Sequence, residues 1–127
     1  MLKNTISHIN KEQMKTKIIF SKKNLRINLE VKRCNYLQRI TGLMFKRREK
    51  AEALLFKFDY PSKMSIHSFF VFFSFIAVWI DEKGRIISVD KVSPFTFSVS
   101  SKREYMRLIE IPINKRYSGV VKFLVGD

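Results

Sequence analysis

MSIHSFFVFFSFIAVWID, Met64 to Asp81, is the stretch whose reading decides the fold. From Phe69 to Ile80 it carries no charge, and it holds five of the twelve phenylalanines and the only tryptophan. In a chain of formal net charge +14, such a block has to be covered. A membrane-crossing helix needs about 20 predominantly apolar residues. The uncharged run, Met64 to Ile80, spans 17 residues and includes Ser65, His67, Ser68 and Ser74. Its unbroken apolar pieces, Phe69–Phe73 and Phe75–Ile80, have strand length, and their aromatic and β-branched residues favour strands. The stretch therefore reads as two successive strands meeting near Ser74, buried on both faces, and not as an integral membrane segment.

Upstream, Leu25, Ile27, Leu29 and Val31 alternate with Arg26, Asn28, Glu30 and Lys32, the period of a half-buried strand. Ile18-Ile19-Phe20 precedes it across the turn Ser21–Asn24, which makes a hairpin. Asn35 as a cap, Gln38 three residues on, and Leu37, Ile40 and Met44 on one face predict a short helix, Tyr36 to Thr41. Phe45 to Lys50 reads as an exposed basic loop, Ala53 to Phe58 as a strand, and Tyr60 to Lys63 as a turn. Downstream, Asp81–Gly84 is a tight turn and Arg85–Val92 a returning strand. Pro94–Ser101 has no period, Leu108–Pro112 is a strand ended by proline, and Gly119–Leu124 is a last strand. The pattern predicts a mainly β chain, a small antiparallel sandwich or barrel-like domain with one short helix. Residues 17–127 form that single domain, and residues 1–16 a flexible basic appendage. The organised pattern begins directly after Met14, which makes Met14 a second candidate start.

The charge is lopsided. Residues 1–50 carry 14 Lys and Arg against 3 Asp and Glu, a balance of +11, and residues 51–127 carry 11 against 8, a balance of +3. A basic half suits nucleic acid or another acidic partner, and it equally suits a lysine-rich composition with no binding role. No apolar run follows the early charges, so no secretory signal is expected and the cytoplasm is the default compartment. The lone Cys34 excludes an internal disulfide and a C-x-x-C metal pair.

Arg39-Ile40-Thr41-Gly42-Leu43-Met44-Phe45-Lys46-Arg47 resembles the R-x-x-G-L-M-F-R signature of the domain-of-unknown-function 192 family. Ile66-His67-Ser68-Phe69-Phe70-Val71-Phe72-Phe73 is similar to the I-H-x-F-F-V-F-F run of its archaeal branch. Trp79-Ile80-Asp81, Glu110-Ile111-Pro112 and Val125-Gly126-Asp127 follow in the family's order. The resemblance covers residues 17–127 and implies a compact, mainly β domain without an established biochemical role. One departure stands out: where the family has Pro-[IL]-Asp, this chain has Ser74, Phe75 and Ile76, so a carboxylate of that pattern is absent.

Three residues form a candidate ligand or structural polar site. Arg39 is one helical turn before the Gly42-Leu43-Met44 run and can pair with Glu110, while His67 enters the apolar block. Lys46, Arg47, Arg48 and Lys50 are the candidate anion-binding residues. The aromatics lie in apolar strands away from these charges, which speaks against a single-strand stacking platform. Tyr36, Tyr60, Tyr105 and Tyr117 are the aromatics expected to be exposed. There is no Gly-rich phosphate loop and no serine-nucleophile elbow. No metal or cofactor is expected, nor a catalytic residue. The function that follows is a non-enzymatic binding or accessory module with a basic contact surface. The alternatives are a non-specific nucleic-acid-associated protein and an enzyme with a pocket near His67 and Arg39.

Overall fold

The computed structural model of the chain describes residues 15–22, 25–34 and 42–126, and of residues 15–22 and 25–27 it describes the backbone only. Six strands form one open sheet. In chain order they are β1 (Lys15–Lys22), β2 (Leu25–Arg33), β3 (Leu54–Ser62), β4 (Phe75–Ile80), β5 (Ile86–Val92) and β6 (Tyr105–Pro112). Their spatial order is β1-β2-β3-β6-β4-β5. One α-helix among the described residues, α1 (Ser118–Val125), follows β6.

The mainly β expectation with one short helix holds, with differences in detail. The sheet is mixed, because β2 and β3 run parallel while the other pairs are antiparallel. The long connection from Cys34 to Ala53 permits this, since a parallel neighbour requires a crossover of a dozen or more residues. The expected helix at 36–41 lies outside the described residues.

The decisive stretch contains one strand rather than two. All six residues of β4 are buried, and they divide between two cores by parity. Ile76, Val78 and Ile80 face a core shared with Leu29, Val31, Leu55, Ile109, Ile111 and the helix residues Val121 and Leu124. Phe75, Ala77 and Trp79 face the other, with Leu43, Leu54, Phe56, Val71, Phe73, Tyr105 and Leu108. A continuous apolar run is therefore what a central strand covered on both faces requires. Helix α1 covers one face. Loops cover the other, and Val71 and Phe73 belong to that loop cover, with a lone bridge Ile66–Val99 instead of a second strand.

Two further segments differ from expectation. Residues 118–125 are helical, not extended. Tyr117, Val121 and Leu124 are spaced by four and three residues and bury one stripe, and Gly126 closes the helix at φ 69°. Of the turn expected at Tyr60–Lys63, residues Tyr60 to Ser62 are instead the end of β3. Its register with β6 breaks between Lys57 and Ser62, so Pro61 occupies a stretch where its missing N–H breaks no rung of the ladder.

Asp81 closes the β4–β5 turn. Its buried carboxylate accepts from the backbone N–H groups of Lys83 and Arg85, each at 2.9 Å. It pairs with the Arg85 Nε at 3.2 Å and the Arg103 guanidinium at 3.4 Å. Gly84, at φ 79°, supplies the left-handed step. Burial pushes the carboxyl up, but the two backbone donors and Arg85 outweigh it and hold Asp81 below the usual carboxylate range. A depressed carboxylate contributes stability that is present above its unfolded value and is lost as pH falls through the folded one. Asp81→Asn should therefore cost about 1–3 kcal/mol near neutral pH. The difference from wild type should shrink in acid, as read by denaturant titration from neutral pH to below the ordinary aspartate range.

Candidate functional site

Two places on the loop-covered face carry the side chains singled out by sequence. The first is a pocket of ≈ 210 Å³ between the β3–β6–β4 surface and the loops at 42–44 and 64–75. Register explains its chemistry. Leu54, Glu110 and Ala77 are opposite one another on β3, β6 and β4, so their side chains share a face. Phe56, Leu108 and Trp79 form the next row, and the Trp79 Nε1 donates to Asp90 at 2.8 Å. Tyr105 packs on Trp79 with ring centroids 4.7 Å apart and donates its hydroxyl to the Met64 carbonyl at 2.6 Å. That bond fixes the loop that roofs the pocket.

Glu110 is 7% exposed and has no hydrogen-bond or ion-pair partner among the described residues. Burial pushes its carboxyl up to about 8. His67 lines the same pocket but is exposed at its mouth, and its Nδ1 accepts from the Phe69 N–H at 3.2 Å. The structure thus brings Glu110 and His67 to one cavity. Arg39, the third expected member, lies outside the described residues. Cys34 is half-buried nearby, and burial, followed by the Glu110 charge, pushes its thiol up to about 12. A thiol held so firmly protonated is no nucleophile. Among the described residues, no cluster of three or more His, Cys, Asp or Glu could hold a metal.

The second place is the basic loop. Lys46, Arg47, Arg48 and Lys50 are all exposed, and Arg48–Lys50 form a single 3-10 turn. The loop is anchored from behind by the buried Asn114, whose Nδ2 donates to the Arg48 and Ala51 carbonyls at 2.7 and 3.2 Å. Glu49 accepts from the Lys115 N–H at 3.2 Å.

Sequence reasoning missed what lies beside this loop. Phe45, Phe72 and Phe95 are 66%, 56% and 54% exposed, and Phe70 and Phe97 are exposed as well. Of the tyrosines expected outside, Tyr60 is exposed, Tyr105 and Tyr117 are buried, and Tyr36 lies outside the described residues. Phe45 stacks on Phe70 at 5.3 Å, and Phe72 meets Phe95 edge-on at 5.6 Å. Phe45, Phe70 and Phe95 are the three non-glycine residues of positive φ among the described residues, at 60°, 61° and 60°. Each such residue costs of order 1–3 kcal/mol and persists only where its surroundings over-determine it. Here the fully buried Ser68 does so. Its hydroxyl donates to the Ser93 carbonyl and accepts from the Thr96 N–H, each at 2.6 Å, while its carbonyl accepts from Phe95 N–H at 3.0 Å. The Phe45 N–H donates to the Phe70 carbonyl at 2.9 Å, which ties in the third loop. Phe45 and Phe72 line one open groove together with Lys46, Arg47, Arg48 and Lys50. The expectation that aromatics and basic residues are kept apart does not hold.

Among known families, the DUF192 model, described as an uncharacterised ACR, matches residues 16–117. No curated protein matches the chain. Two solved structures share the fold. One is a Sinorhizobium meliloti 1021 protein described as a "putative transcription regulator", with TM-score 0.69 and 15% identity, covering 84% of this chain and 85% of the other. The other is a protein of unknown function from Novosphingobium aromaticivorans DSM 12444, with TM-score 0.69 and 11% identity, covering 84% and 79%. No helix among the described residues is long and apolar enough to cross a membrane.

A carboxyl raised by burial has a stability signature of its own. Its folded value exceeds its unfolded one, so the stability it contributes is complete below the unfolded value of 4.5 and lost as pH rises toward about 8. Glu110→Gln should lack this decline. Paired denaturant titrations should find the variant gaining on wild type across that window and level above it.

Proposed function

The chain belongs to the DUF192 family, and on that premise we propose that it is an archaeal-type member acting as a non-enzymatic binding module, whose contact surface is the groove of Phe45, Phe72, Lys46, Arg47, Arg48 and Lys50. The reading rests on one observation: exposed aromatic and basic side chains line the same groove. The occupant that uses both is a single-stranded nucleic acid. Its phosphates meet the cations and release counterions, and its bases stack on phenyl rings, a contact worth about 1–3 kcal/mol per base and indifferent to sequence. The strong positive balance of the chain steers such a polyanion toward the groove. The archaeal-type assignment is supported by the Ile66–Phe73 run.

A second reading is favoured by a different observation. The rings pack on each other through Phe45–Phe70, Phe45–Phe72 and Phe72–Phe95, which makes a continuous apolar surface beside the cations. An anionic bilayer would accept that surface, at about 1 kcal/mol per Lys or Arg near the headgroups.

Salt titration of the full chain against a short single-stranded oligonucleotide separates the two. We expect log K to fall linearly with log salt. Replacing Lys46, Arg47 and Arg48 together by Ala should reduce that slope by about 2, at roughly 0.7 per phosphate contact. Phe45→Ala with Phe72→Ala should weaken binding at every salt concentration and leave the slope unchanged. Binding unaffected by both sets of substitutions overturns the reading. Absence of oligonucleotide binding, together with co-sedimentation on anionic but not neutral vesicles, moves the groove to the membrane.

A further inference from the structure

The pocket headed by Glu110 is separate from the basic groove and has its own chemistry. Its lining is mostly apolar, with Leu43, Phe56, Ile66, Val71, Phe75 and Leu108 among it, and includes the polar Ser65, His67 and Tyr105. Glu110 lines it too, a residue more than nine-tenths buried whose carboxyl spends none of its hydrogen-bonding capacity on any described residue. The carboxyl lines the pocket, so a ligand atom at that position would give it the hydrogen-bond partner that no described residue supplies. We propose that this pocket is a binding site for a small, uncharged, largely apolar molecule that ends in a carbonyl oxygen, with the Glu110 carboxyl donating to that oxygen.

The size limit comes from the cavity. An apolar cavity of about 150 Å³ holds a benzene molecule, so ≈ 210 Å³ accommodates one ring with a short substituent, or a short chain of similar bulk. The charge limit comes from the surroundings. No Lys or Arg among the described residues lines the cavity, so none of them would give an anion a counter-charge in place of its lost hydration. A cation would approach against a formal net charge of +14. That leaves a neutral acceptor facing a neutral donor.

The groups around Glu110 decide whether it can donate. On β3 its opposite number is Leu54, with Lys32 of β2 beyond it. On β4 it is Ala77, with Asp90 of β5 beyond. Asp90 is held by the Trp79 indole. The Cys34 thiol, at about 12, is neutral, the Tyr105 hydroxyl is engaged by Met64, and His67 is at the mouth. None of these groups places a charge against the carboxyl, in keeping with its rise to about 8.

The test uses acetophenone and α-methylstyrene, flat molecules of the same shape in which the oxygen of the first is a methylene in the second. Binding to the full chain is followed by NMR titration near pH 6 and near pH 10, on either side of the value of about 8. We expect acetophenone to bind roughly tenfold more tightly near pH 6, the equivalent of one hydrogen bond of about 1.4 kcal/mol. The preference should be lost near pH 10. Glu110→Gln, whose amide donates at any pH, should keep the preference at both values. Glu110→Leu should bind the two probes alike. His67→Gln should retain the wild-type pH dependence, which separates the carboxyl from the imidazole at the mouth. Failure of both probes to perturb the resonances of the pocket residues overturns the proposal, as does a preference that survives near pH 10 in wild type. Glu110→Gln decides the matter even if Glu110→Leu does not fold. Neither outcome bears on the groove, which the salt titration tests alone.

Discussion

Everything in this fold follows from the need to cover β4 on both faces. Its six side chains are buried alternately against α1 on one side and against loops on the other. At about 25 cal/mol per Å² of apolar surface, leaving either face open would forfeit several kcal/mol, a large share of a small domain's net stability. A helix covers one face economically, since Tyr117, Val121 and Leu124 present a single stripe. The other face is roofed by irregular chain, and irregular chain must satisfy its backbone polar groups without a ladder. Ser68, Tyr105 and Asn114 do that work with named bonds to Ser93, Thr96, Met64, Arg48 and Ala51. A roof made of loops has gaps and tips. The pocket is the gap, and the phenylalanines are the tips.

The strands were legible where polarity alternates or where a turn interrupts. The Leu29 and Val31 alternation, the Asp81–Gly84 turn and the proline-ended β6 are all present in the structure. Two misreadings have a common physical source. In Gly119–Leu124 the adjacent valines favour a strand, yet the period that matters runs through Tyr117, two residues before the segment as read. In Phe69–Phe73 every residue is apolar, so no period exists to be read. Whether such a run is a strand or a loop is decided by partners elsewhere in the chain, here by Ser68 reaching Ser93 and Thr96.

The candidate sites were legible to an unequal degree. Exposure of Lys46, Arg47, Arg48 and Lys50 was readable from their charge. The meeting of His67 and Glu110 in one cavity was anticipated only by naming both residues; the register that brings Glu110 beside Ala77 is a property of the sheet. Of the exposed phenylalanines only Phe45, inside the loop read as exposed, was legible; for the others hydrophobicity argues for burial and the structure alone reveals otherwise. Positive φ at Phe45, Phe70 and Phe95 turns each ring away from the core that its composition would choose. The nearest local signal was Pro94, which begins a turn whose next residue, Phe95, is exposed on left-handed backbone.

A protein this basic is an unexpected host for a neutral carboxyl, and magnitudes explain it. Lys32 is two strands from Glu110 in the same row, a separation of about 10 Å at roughly 4.8 Å per strand. At an effective dielectric of about 20, a unit charge at that range favours the carboxylate by only about 1.7 kcal/mol, and salt weakens it further. Burial of an unpaired carboxylate costs several kcal/mol. The interior effect is the larger, in keeping with the rise of the Glu110 carboxyl to about 8, while the surface repels cations and attracts polyanions. The two sites can therefore act independently. The groove reads charge through water, where screening controls it, and the pocket reads a single hydrogen bond in a largely apolar enclosure.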